Sequence, residues 1–241
     1  STDILVMLAT GRAFVTTPKA IKVVISGPMD PHTTGKDLAL QMMQQLGEGG
    51  GGYRALEFVD EAGVSMAARA TLCNMAVDCG AKNGLVVPDA ITRQAMIERD
   101  GEDPGPLDEW AAGPDSAYER VMVLHADGGP LVARPGSPAD IVAAGDAEPE
   151  TVHQVFVGSC CGGRLEDLRD AADILRGKRV KPGLRMVVTP ASQAVYRAAV
   201  DEGIVTTLID AGAMVTASAC GACGGIDKGI LGAGEVCVST S

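Results

Sequence analysis

Two short stretches hold the residues best suited to chemistry: Ala219-Cys220-Gly221-Ala222-Cys223-Gly224-Gly225 and, upstream, Gly158-Ser159-Cys160-Cys161-Gly162-Gly163. A C-x-x-C in a glycine-rich loop brings two sulfurs close together and frees backbone N–H groups to point at them. That geometry suits iron–sulfur, zinc or redox chemistry. The apolar run from Val152 to Val157 ends in Gly-Ser just before Cys160. If the run is a strand of an open α/β sheet, the Cys160 thiol lies at its carboxyl end, the usual side for ligands. Cys160, Cys220 and Cys223 can then converge from two loops. Three thiolates on a four-iron cubane leave one iron without a protein ligand, free for Lewis-acid chemistry. On spacing alone, a structural zinc or a redox C-x-x-C competes equally with that reading.

The elements that must position these thiols read as alternating strands and helices. Thr34 can cap a helix whose Leu38, Met42 and Leu46 mark one buried face, with Gly47 ending it. Ala20–Ser26 reads as a strand, as do Tyr53–Phe58, Leu85–Val87 and Glu119–Leu124. Ser65 caps a helix to about Asp78, closed by Gly80, and Asp89 caps another over Ala90–Arg99. A first short apolar helix opens at Ser1-Thr2-Asp3 and stops at Gly11. Gly49 to Gly52 lacks the following Gly-Lys-Ser/Thr of a phosphate cradle and reads as a plain loop. The acidic stretch Asp100–Ser116 and the proline-rich stretch Gly128–Glu150 read as irregular, with a domain boundary inside the latter. Beyond it, strand 152–157, helix 165–175, strand 184–188, helix 192–200, a short helix near 205–210 and strands 213–216 and 235–239 follow. Such alternation predicts an α/β fold with three-layer α/β/α domains and mostly parallel, doubly wound sheets.

Composition bounds the function. The chain is 46% hydrophobic but 3% aromatic, so its cores are aliphatic. A net charge of −11 argues against nucleic acid or an anionic membrane as partner. It leaves room for an anionic small molecule at a locally positive site. No apolar run approaches the roughly 20 residues that span a bilayer. The chain also opens on a polar helix start rather than a signal peptide. Its seven cysteines are odd in number and four sit in two close pairs, a poor disulfide framework that fits a reducing, cytoplasmic setting and a metal site.

Taken together, the motifs resemble the aconitase family, on the side of the isopropylmalate dehydratase and homoaconitase large subunits. The likeness rests on Gly158-Ser159-Cys160, Arg164-Leu165-Glu166-Asp167-Leu168, Cys220-Gly-Ala-Cys223-Gly-Gly and Cys237-Val-Ser-Thr-Ser241. Upstream, Thr34-Gly35-Lys36-Asp37, Glu57-Phe58, Ser65-Met66, Thr71-Leu72-Cys73-Asn74-Met75 and Gly80-Ala81-Lys82 fall in the family's order. The resemblance implies a 4Fe–4S cluster with one labile iron, held by Cys160, Cys220 and Cys223. It implies a hydro-lyase that isomerises or hydrates a 2-hydroxy di- or tricarboxylate by dehydration and rehydration. The family's histidine-rich and Gly-Asp-Ser-His segments have no counterpart here, which implies a fragment. On that reading, residues 1–17 end a truncated first α/β domain, 18–145 form a second and 146–241 a truncated cluster-binding third. The general base would come from a swivelling domain, carried in such dehydratases by a small partner subunit, so this chain alone should not turn over.

Within that resemblance Asn74 becomes a cluster-side hydrogen-bond donor and Asp78, one turn on, stands where the family uses Glu to hold the iron-bound water. Asp is one methylene shorter, and a carboxylate misplaced by about 1 Å can cost on the order of a hundredfold in rate. Arg164 is a charge partner for a substrate carboxylate or a structural partner of Glu166 or Asp167. Cys161-Gly162-Gly163 replaces the family's Thr-Asn, and Cys161 as a fourth ligand would close the open iron. That possibility underlies a second hypothesis, a non-catalytic thiolate scaffold for zinc or a closed cluster. Cys73, Cys79 and Cys237 are expected in cores, and His32, His125 and His153 as ordinary loop or strand residues.

Overall fold

The computed structural model describes residues 2–13, 15–113 and 116–241. The cap expected at Ser1 lies outside the described residues, as does the side chain of Asp3. Helix α1 (Thr2–Thr10) ends before Gly11, and its Ile4, Leu5 and Leu8 are exposed.

The first sheet comprises β1 (Ala20–Ser26), β2 (Ala55–Asp60), β3 (Asn83–Val86) and β4 (Arg120–His125), all parallel, in the order β3-β2-β1-β4. β1 buries alternate residues, Ile21, Val23 and Ile25, against α2 (Gly35–Leu46) and α3 (Met66–Met75). Thr34 caps α2 as expected: its hydroxyl accepts from the Asp37 N–H, and the Asp37 carboxylate accepts from the Thr34 N–H at 2.7 Å. β2 begins later than the sequence suggests because Tyr53 holds a left-handed φ of 63°, which no strand tolerates. The glycine loop before it is structural: the Gly51 N–H donates to the Cys79 carbonyl at 2.8 Å.

Ser65 caps α3, accepting from the Ala68 N–H at 3.1 Å. The helix ends at Met75, earlier than its spacing predicts, and tightens to a 3₁₀ turn over Val77–Cys79 closed by left-handed Gly80. A buried ion cluster fixes α3. Arg69, 1% exposed, reaches Asp60 at the end of β2 and Asp89, both at 2.6 Å. Asp89 is the expected cap of α4 (Ala90–Asp100), and the guanidinium beside it holds its carboxyl down to about 2. The 128–150 stretch is not wholly irregular, since β5 (Leu131–Ala133) and β6 (Ile141–Ala143) form an antiparallel pair.

The second sheet repeats the first. β7 (Gln154–Gly158), β8 (Arg185–Thr189), β9 (Met214–Val215) and β10 (Cys237–Ser239) are parallel in the order β10-β7-β8-β9. Between β7 and β8 lie the single turn α5 (Ser159–Gly162) and α6 (Leu165–Leu175); α7 (Gln193–Asp201) and α8 (Ile204–Asp210) connect β8 to β9. Leu168, Ala172, Ala199 and Leu208 bury these helices against Val157 and Val188. In both sheets the winding reverses beside the first strand, placing a crevice at the strands' carboxyl ends.

Candidate functional site

Cys160 sits where the sequence places it, just past the carboxyl end of β7 at the point where the winding reverses. The turn that carries it is strained: Ser159, a non-glycine residue, has φ 60° and is 2% exposed. Cys220 and Cys223 follow β9 on a 3₁₀ turn that doubles back over the sheet. Gly221 makes that possible. It has φ 59°, and a Cβ there would lie 3.3 Å from the Thr189 hydroxyl and 3.6 Å from the Phe156 ring. The three thiols are exposed on two loops, but among the described residues no group of three His, Cys, Asp or Glu already stands as a metal site.

The surroundings suit an acceptor-rich group. Of five buried side-chain polar atoms without a hydrogen-bond partner among the described residues, three lie in or beside the cysteine loops: Ser159 Oγ, Arg164 Nε and Ser218 Oγ. Buried donors are paired in the great majority of cases, so such a cluster of orphans fits a ligand with several acceptors, as the sulfurs of a cluster are. The Arg164 side chain pairs with neither Glu166 nor Asp167. Its backbone N–H donates to Asp167 at 2.8 Å, while Glu166 accepts from the Ser65 hydroxyl at 2.8 Å. Burial pushes the Asp167 carboxyl up to about 6, against that N–H and the Arg164 charge.

Cys161 is half-buried and packs against the first sheet's core, with its Sγ 3.8 Å from Cys160 Sγ. Burial first, then the neighbouring Cys160, push its thiol up to about 12. Gly162, at the family's Asn position, admits no side chain: a Cβ would overlap the Thr240 oxygens and lie 2.6 Å from its Cβ. Thr240 closes this space, accepting from the Gly158 N–H at 3.1 Å and donating to the Gly162 carbonyl at 3.0 Å.

Asn74 and Asp78 are both exposed. They do not share one continuous helix face, because α3 stops between them. The Asn74 amide reaches the Cys160 carbonyl at 3.4 Å, so it touches the cysteine loop through the backbone. Lys36 was quoted in the sequence only as part of a motif, yet its ammonium lies among Cys161, Asp78, Cys223 and Asp37; burial holds its pKa down while their charges draw it up. Its position in the first turn after β1's carboxyl end was the available signal. Thr71, likewise part of a quoted motif, donates its hydroxyl to the Cys161 carbonyl at 2.8 Å.

The remaining cysteines divide. Cys79 is fully buried and Cys73 packs against the same core, as expected, and burial raises both thiols. Cys237 is only half-buried on the edge strand β10 and lines, with Cys223, Gln154 and Phe156, a cavity of about 420 Å³. His153 is structural, accepting from the Val236 N–H at 3.1 Å. No helix among the described residues is long and apolar enough to cross a membrane.

Compared with known proteins, the chain matches the Aconitase family (aconitate hydratase) over residues 1–151 and 140–241. It is 40% identical over 246 residues to a Wolinella succinogenes protein named 3-isopropylmalate dehydratase large subunit, covering 100% of this chain and 58% of that one. A Campylobacter hominis protein of the same name is 41% identical over 245 residues, with 100% and 58% covered. The chain thus spans 58% of the length of these relatives. Among solved structures, aconitase X of Thermococcus kodakaraensis aligns with a TM-score of 0.48 at 15% identity, over 85% of this chain and 44% of that one.

Proposed function

From the premise that the chain belongs to the aconitase family, we propose that it is the cluster-bearing part of the large subunit of a hydro-lyase. The substrate class is a 2-hydroxy di- or tricarboxylate of the isopropylmalate kind, isomerised by loss and return of water, in the route to leucine. The relatives' names support that class. The observation that supports the reading is that Cys160, Cys220 and Cys223 are exposed on the two loops that follow β7 and β9, with unpaired polar atoms of Ser159, Arg164 and Ser218 in or beside those loops.

Cys160, Cys220 and Cys223 would hold a 4Fe–4S group. When bound, it supplies a Lewis-acidic iron without a protein ligand. The chain's own residues do the rest. Lys36 and Arg164 give a net-acidic chain a local positive charge for carboxylates. Asp78, beside Lys36, is the carboxylate that would hold the departing hydroxyl or water. Asn74 steadies the Cys160 backbone. The division into 1–17, 18–145 and 146–241 belongs to the same proposal, as do a cytoplasmic setting and a small-subunit partner with the swivelling domain.

A closed four-thiolate scaffold finds its footing in the 3.8 Å separation of the Cys160 and Cys161 sulfurs. Against it stands the packing of Cys161 on the first core. Anaerobic reconstitution with iron and sulfide separates the two from a zinc site. The proposed function requires a brown protein with broad visible absorbance and about four irons per chain; a colourless protein that retains only zinc contradicts it.

A further inference from the structure

Three side chains of α3 and its cap reach across to the segment that carries the first cysteine, and Thr71 is the most deeply buried of them. It is 3% exposed, and its hydroxyl donates to the Cys161 carbonyl at 2.8 Å. Asn74, three residues on, reaches the Cys160 carbonyl at 3.4 Å, and Ser65 reaches Glu166 at 2.8 Å. The turn they hold needs holding. α5 is four residues long, enters through the left-handed Ser159, and has no further turns to share in helical cooperativity. On the far side, Thr240 ties the Gly158 N–H to the Gly162 carbonyl. The single turn is therefore gripped from both sides, by α3 of the first sheet and by the segment after β10.

We propose that Thr71 is a positioning residue for Cys160. By fixing the Cys161 carbonyl it fixes the turn on which Cys160 rides, and so the direction in which that thiol faces the Cys220–Cys223 loop. The first sheet thereby sets the geometry of cysteines that belong to the second. The inference rests on the proposed cluster site for its purpose, but its physical content is present without metal. The hydroxyl carries it rather than the shape: valine fills nearly the same volume and leaves the buried carbonyl without this donor.

The test compares Thr71→Val with Thr71→Ser in the full chain. In the metal-free protein, peptide-resolved alkylation by iodoacetamide reads how often α5 opens, with Cys161 as the protected thiol and Cys237 as the comparison thiol outside that turn. Thr71→Val is expected to speed alkylation of Cys161 about tenfold, equivalent to about 1.4 kcal/mol. Thr71→Ser should stay within about twofold of wild type, and Cys237 should not change. After reconstitution, the Val variant should lose iron about tenfold faster and show an altered paramagnetic spectrum, while the Ser variant matches wild type. Should valine not be accommodated, Thr71→Ala set against Thr71→Ser makes the same comparison. Cys161 alkylation in the hydroxyl-free variant within twofold of wild type overturns the proposal, as does a Ser variant that fails as Val does. A wild type that takes up no iron contradicts the proposed function and leaves the alkylation result standing.

Discussion

Gly162→Ala tests how tightly the cysteine turn is closed. The added Cβ would overlap the Thr240 carbonyl and hydroxyl oxygens and approach its Cβ to 2.6 Å, so Thr240 must move. Overpacking of this kind costs about 1–3 kcal/mol. Displacing Thr240 also loosens its bonds from Gly158 and to Gly162, each worth about 1 kcal/mol. Alanine gains back up to about 1 kcal/mol over glycine within the helical turn. The sum is a loss of about 2–4 kcal/mol. Urea unfolding of the metal-free chain measures it, with Thr240→Ala as the second arm, expected to cost about 2 kcal/mol. Because the Thr240 carbonyl remains in the way, adding Thr240→Ala to Gly162→Ala should relieve only part of the clash. A Gly162→Ala variant within about 0.5 kcal/mol of wild type would refute the close approach and the explanation of the missing side chain.

Three further outcomes follow from the same geometry. Serine at Cys160, Cys220 or Cys223 should abolish iron uptake on reconstitution, whereas serine at Cys73, Cys79 or Cys237 should leave it nearly intact; equal loss in both sets would misplace the ligands. Asp78→Glu, assayed with the full assembly, should keep or raise hydratase activity. An inactive Glu variant beside a tolerated Asp78→Ala would remove Asp78 from the site. Asp167 has a folded pKa raised to about 6 from an ordinary 3.8, so the folded state holds its proton more tightly. Its stabilisation is complete below about pH 4 and is lost as pH rises through 6. Asp167→Asn should therefore abolish that slope and raise stability at pH 7 by on the order of 2 kcal/mol, read by urea midpoints from pH 4 to 7.

The sequence made the framework legible because its punctuation is local. Thr34, Ser65 and Asp89 cap the helices they precede, and the helix over 165–175 has the bounds its spacing gives. The departures come from contacts between distant segments. Nothing near Asn74 announces that α3 stops at Met75, where the next turn tightens around carbonyls bound by the glycine loop. The β5–β6 pair hid in a stretch whose prolines suggested no strand. At the site, cysteine spacing and the strand-to-loop transitions were readable. The grip of Thr71 and Thr240 on the Cys160 turn was not, because each acts on a backbone carbonyl about 80–90 residues away in the chain. Lys36 was visible as a residue but not as a neighbour, since two helices from different sheets bring it to Cys161 and Cys223.

The central claim is that Cys160, Cys220 and Cys223 hold a cluster with one iron free of protein, and that Cys161 takes no part. Iron quantitation combined with electron paramagnetic resonance, on wild type and Cys161→Ser before and after mild oxidation, tests it most directly. Both proteins are expected to load alike, and both should convert to a three-iron form on oxidation, because the iron without a protein ligand leaves first. A wild-type cluster that resists oxidation, and that Cys161→Ser makes labile, would contradict the account and establish a closed four-thiolate site.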